Sequence, residues 1–81
     1  MKTTWYCVNV EFYDNRNVKA CMTTRQAEKK PKDQYRVSHG LAAYKIWFVN
    51  ESNASQLLAG VKDGAIDRES VSWLFIEMVA A

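Results

Sequence analysis

Between Thr4 and Tyr13 the chain alternates with period two. Tyr6, Val8, Val10 and Phe12 fall on one side, and Trp5, Cys7, Asn9, Glu11 and Tyr13 on the other. Alternation with aromatic and β-branched enrichment specifies a strand. Asp14-Asn15-Arg16-Asn17 follows, a run whose side chains bond their own backbone and tolerate left-handed conformations. It predicts a turn, and Val18 to Arg25 then returns as the second strand of a hairpin. Pairing Phe12 with Val18 sets Val10 opposite Ala20 and Val8 opposite Met22. A one-residue slip would throw every apolar side chain onto the wrong face, so this register is the one expected.

The segment 26–33 (Gln-Ala-Glu-Lys-Lys-Pro-Lys-Asp) is polar and holds the only proline, which predicts a mobile basic loop. Gln34 to Ser38 reads as a short strand, His39-Gly40 as a turn, and Leu41 to Val49 as a stronger strand. Asn53 with Gln56 three residues later has the form of a capping box, and Gly64 that of a helix terminator with Ile66 behind it. Leu57, Leu58 and Val61 give that helix, Ala54 to Asp63, an apolar stripe. Ser70 to Val79 is apolar on both strand faces, which suits an interior strand. As a helix, the same run would align Val71, Leu74, Phe75, Met78 and Val79. The expectation is one α+β domain over residues 1–81, a small antiparallel sheet in the order β-β-β-α-β, with a helical C-terminal segment as the alternative.

Under that order one helix covers only one sheet face, yet the strands are apolar on both. Trp5, Cys7, Trp47, Val49, Trp73 and Phe75 share the parity opposite the helix-facing set. Monomers rarely leave such a patch in water, and tryptophan is enriched at interface hot spots. An 81-residue chain also buries only about 60–65% of its unfolded surface, so association would help it. These six residues are therefore the expected interface of a non-enzymatic protein-interaction module, a homodimer or a complex with another protein. A cover made by the chain's own loop, or by a second helix, is the other way to bury them.

Catalytic chemistry is not legible. His39 is the only histidine, and it sits beside Gly40 in a turn. Cys7 and Cys21 lie inside strands, away from the positive environments that activate thiols. They are too few for a disulfide scaffold or, with one histidine, for a structural zinc site. The register sets them diagonal to each other across the hairpin, near the upper limit for a bridge. Asp63, Asp67 and Glu69 lack the spacing of a calcium loop, and the three glycines are isolated, so no phosphate loop exists. The expectations are no enzyme activity, no metal and no cofactor. The N-terminus has no continuous apolar stretch of the signal-peptide kind, and no run approaches a membrane span. A cytoplasmic setting is expected. Such leaderless, hairpin-first chains resemble small reading frames of bacteria and their mobile elements, a resemblance that transfers no functional residue.

Charge leaves one further reading. The net charge of +2 is small, but Arg25, Lys29, Lys30, Lys32 and Arg36 lie within twelve residues, with Tyr35 among them. Cations interleaved with an aromatic ring suit a nucleic-acid groove. The alternative function is thus a nucleic-acid-binding accessory protein acting through residues 25–36.

Overall fold

Thr3–Phe12 (β1) and Val18–Ala27 (β2) pair antiparallel, with Phe12 opposite Val18, Val10 opposite Ala20 and Val8 opposite Met22. The apolar alternation dictates this register. The computed structural model describes residues 1–13 and 18–80, the side chains of 75–80 excepted. The turn expected at Asp14–Asn17 therefore lies outside the described residues. Two more strands follow, Gln34–Ser38 (β3) and Leu41–Phe48 (β4), then two helices, Glu51–Lys62 (α1) and Arg68–Ala80 (α2). The class is α+β, an antiparallel four-stranded sheet with two helices.

The sheet order is β2-β1-β4-β3. β4 pairs with the free side of β1, Cys7 opposite Trp47 and Val10 opposite Tyr44. β3 then adds to β4, with Arg36 opposite Ala43 and Tyr35 opposite Tyr44. The two-residue turn between β3 and β4 has both φ angles positive, 48° at His39 and 83° at Gly40. That is the mirror-image turn whose twist matches the strands it joins.

Both helices lie on one face. The core there joins Val8, Val10 and Phe12 of β1, Ala42, Tyr44 and Ile46 of β4, Ala54, Leu57 and Val61 of α1, and Val71 of α2. Burying each large aliphatic side chain of this set is worth about 1.5–3 kcal/mol. α2 is held to the sheet by the hydroxyl pair of Tyr44 and Ser72 at 2.5 Å, and by the Arg68 guanidinium donating to the Gly40 carbonyl at 3.3 Å.

The C-terminal run is a helix, so the expected fifth strand is corrected. Asp67 supplies the reason. Its carboxylate accepts the Ser70 N–H at 2.8 Å, and its carbonyl accepts the Val71 N–H at 3.1 Å. This is a helix N-cap, and Glu69 adds an acidic residue to the first turn. The Ser70 amide bond holds the Asp67 carboxyl below its ordinary range. The interior position that the apolar run suited is taken by β4 itself.

The start of α1 is also corrected. Asn50, not Asn53, is the N-cap, its side-chain oxygen accepting from the amides of Ser52 at 2.8 Å and Asn53 at 3.4 Å. The C-terminus ends as the sequence implies. Gly64 turns left-handed at φ 84°, and the Ile66 N–H reaches back to the Gly60 carbonyl at 2.9 Å.

The two candidate caps separate cleanly by mutation. Asn50→Ala should cost about 1 kcal/mol and lower Tm by roughly 4–8 °C, whereas Asn53→Ala should leave Tm nearly unchanged. Thermal melts followed by circular dichroism check this. The reverse ranking would contradict the cap geometry.

Candidate functional site

The sheet face away from the helices carries the odd-numbered residues of β1 and their cross-strand partners. Across it run the rows Lys19–Glu11–Ala43–Arg36 and Cys21–Asn9–Lys45–Gln34. Trp5 and Trp47 flank Cys7 at one end. Since β2 and β3 lie on opposite edges, the connection of residues 28–33 must traverse the sheet, and the helices occupy the other side. Its two ends are pinned on this face. The Trp5 indole N–H donates to the Ala27 carbonyl at 3.2 Å, and the Trp47 backbone N–H donates to the Asp33 carboxylate at 2.8 Å. Under this crossing Cys7 is only 1% exposed, although no helix covers it.

The six aromatic-interface candidates are therefore dispersed. Trp5, Cys7 and Trp47 do meet on one face, half-buried, buried and half-buried. Val49 is exposed beyond the end of β4. Trp73 is on α2, at 62% exposure, and shares no sheet face with the other two tryptophans. Their common parity was a property of the expected fifth strand. The side chain of Phe75 lies outside the described residues.

The basic candidates are brought together more completely. Arg25 and Arg36 stand at opposite edges of this face, and Lys29, Lys30 and Lys32 are exposed on the connection between them. Tyr35 is the exception. It points to the helical side and stacks on Tyr44, with centroids 4.8 Å apart and planes at 23°. The reason is parity: Tyr35 and Arg36 are neighbours in a strand and must face opposite ways. Sequence reasoning also missed two cations of the same face, Lys19 and Lys45. Both were recoverable, Lys19 from the hairpin register opposite Glu11 and Lys45 from its parity with Trp47.

This face and its loop hold seven basic residues, the five named above with Lys19 and Lys45, against Glu11, Glu28 and Asp33, a balance of +4. The segment 50–81 holds five acidic residues against Lys62 and Arg68, a balance of −3. The molecule is thus polarised from sheet to helices. Two of the three carboxylates on the basic face are engaged internally. Asp33 accepts from Trp47 and pairs with Lys30 at 3.3 Å, and Glu11 accepts from the Tyr13 hydroxyl. Among the described residues Lys30–Asp33 is the one ion pair. A groove of about 680 Å³ opens on this face, lined among others by Glu11, Arg36, Ala43 and Lys45.

Other chemistry is sparse. His39 is exposed in its turn, and no three metal-ligating side chains gather among the described residues. No helix among them is long and apolar enough to cross a membrane. Both cysteines are free, Cys7 buried and Cys21 exposed. Burial pushes the Cys7 thiol above its ordinary pKa, against the opposing pull of the Thr23 hydroxyl and Lys45. Comparison with protein-family models, curated proteins and solved structures finds no match to this chain.

The thiols give a direct test of the covered face. Under native conditions one thiol per chain should react quickly, that of Cys21, and both should react in denaturant. Alkaline stability tests the same burial. The folded state holds the Cys7 proton beyond the ordinary thiol range, and the Tyr44 proton likewise, chiefly through burial. The unfolded chain then binds fewer protons, so stability should be full below about pH 8.5 and decline as pH rises through and past that range. Denaturant midpoints measured from pH 7 to 11 check the sign. A midpoint that rises with pH would contradict it.

Proposed function

We propose that this chain is a non-enzymatic nucleic-acid-binding protein that grips the phosphate backbone with the sheet face away from its helices. One observation carries the reading. Among the described residues the cations of that face have no carboxylate partner within ion-pair distance, Lys30 excepted, while Glu11 and Asp33 are bonded internally. Such a surface attracts a polyanion and releases that polyanion's condensed counterions on contact. The acidic helical layer orients the encounter by repelling the same ligand from the other side.

The mode of contact follows from where the aromatic rings lie. Tyr35 stacks within the helical side, and Trp5 and Trp47 are half-buried. Base stacking therefore contributes little, and phosphate contacts dominate. Those contacts position a nucleic acid without reading its sequence. Fluorescence anisotropy with labelled oligonucleotides should give a log–log salt plot that is linear and steep, with little dependence on base composition. Replacing Lys29, Lys30 and Lys32 together by Ala should lower the slope by about 2. Binding indifferent to salt, or unchanged in the triple variant, would overturn the reading.

A second reading has its own observation. Trp73 is 62% exposed and Leu74 is exposed beside it on α2, while Tyr35 and Val37 are exposed on the helical side of β3. Apolar exposure of that kind suits a protein partner, a second copy included. Protein association, expected from sequence at the tryptophan-bearing sheet face, is thereby better supported on the helical side. Light scattering at low micromolar concentration should then report a dimer that Trp73→Ala dissociates. A monomer at those concentrations would remove the homodimer.

A further inference from the structure

The basic face is not uniform, and its groove has a defined chemistry. The groove lies where β1, β4 and β3 run side by side. Ala43 sits at the centre of its cross-strand row, between Glu11 on β1 and Arg36 on β3. Its methyl group is the smallest side chain of that row, so the row dips there. Lys45 is two residues along β4 on the same face, opposite Gln34, and therefore diagonal to Arg36. Side chains in that diagonal relation are roughly 7–8 Å apart at their roots, within reach of a common ligand for two long cationic chains.

The charges in the groove are not equivalent. Arg36 and Lys45 make no ion pair among the described residues. Asp33 also lines the groove, with one carboxylate oxygen on the Trp47 amide and the other on Lys30, which offsets its charge. Glu11, on the opposite wall, accepts from Tyr13 and retains further lone pairs. Glu11 and Arg36 are separated by two strand spacings, about 10 Å between backbones. The groove thus has a cationic end and an accepting end.

We infer that this groove seats one nucleotide unit, its phosphoryl group on Arg36 and Lys45 and a hydroxyl or amino donor of its sugar or base toward Glu11. The inference rests on the nucleic-acid reading and adds a site to it. A guanidinium grips two phosphoryl oxygens at once, and an ammonium adds a point charge on a third. The Glu11 carboxylate repels a second phosphate, which limits the seat to one. The volume of about 680 Å³ lies within the range of small-ligand sites. The same chemistry is offered by a free mononucleotide and by a unit within a strand, so both sources belong in the test.

Four versions of the 81-residue chain suffice: the parent, Ala43→Phe, Arg36→Lys, and the triple loop variant with Lys29, Lys30 and Lys32 replaced by Ala. Each is titrated with a 12-nucleotide single strand, adenosine 5′-monophosphate and inorganic phosphate. Ala43→Phe fills the groove and leaves the net charge intact. It should weaken oligonucleotide binding about tenfold with an almost unchanged salt slope. Arg36→Lys keeps the charge, loses the bidentate grip, and should weaken binding several-fold. Because Arg36 is exposed, that variant remains informative should Ala43→Phe fold poorly.

If the parent binds the mononucleotide measurably and phosphate more weakly, and Ala43→Phe weakens the mononucleotide binding, the seat accepts free units. If it binds only the oligonucleotide, and Ala43→Phe still weakens that binding, the seat works within a strand. Either result supports the inference. Parent-like binding by Ala43→Phe and Arg36→Lys, beside a weakened triple loop variant, would overturn the seat and leave the basic face standing. Absence of any oligonucleotide binding by the parent would overturn both.

Discussion

A strand order of β2-β1-β4-β3 obliges residues 28–33 to carry the chain from one edge of the sheet to the other. Most of the molecule's arrangement follows from how that crossing is fastened. At its far end the Asp33 carboxylate takes the Trp47 amide just beyond the last β3–β4 pair, Gln34 with Lys45. A side chain thus extends the hydrogen-bond ladder by one step where the strand has ended. The amide would otherwise be left half-buried without a partner, at a cost of about 1–3 kcal/mol. At the near end the Trp5 indole closes on the Ala27 carbonyl.

The crossing resolves a problem that the sheet poses by being apolar on both sides. The helices cover one face with the stripe of α1 and with Val71. The other face receives a strap that is bonded to Trp5 and Trp47 at its two ends and whose lysines stay in water. Covering apolar surface with a charged loop has an electrostatic consequence. The strap adds three lysines to a face already bearing Lys19, Arg25, Arg36 and Lys45, while the acids are concentrated in the helical segment. Polarity of charge from face to face is therefore produced by the same topology that completes the burial.

Local features were readable from the residues. Apolar alternation gave the hairpin its register down to the Cys21–Asn9 pair, and the β3 and β4 segments and the Gly64 helix end follow from turn and cap chemistry. Non-local features were not. Ser70–Val79 satisfies both periodicities, and the deciding signal was the Asp67 cap, a single side chain outside the run. The face that Tyr35 presents depends on which strand β3 joins, and the route of residues 28–33 depends on the strand order. Neither is encoded by spacing within one segment. Hence the basic cluster was legible as a stretch of sequence, but not as a surface that gains Lys19 and Lys45 and loses Tyr35.

The central claim is that ligand contact belongs to the strapped sheet face and not to the helices. A heteronuclear NMR titration of the isotope-labelled chain with a short single-stranded oligonucleotide at low salt tests it most directly. The account predicts shifts concentrated at Arg36, Ala43, Lys45 and residues 28–33, with the amides of α1 unmoved. Shifts confined to the neighbourhood of Trp73, or none at saturating oligonucleotide, would contradict it.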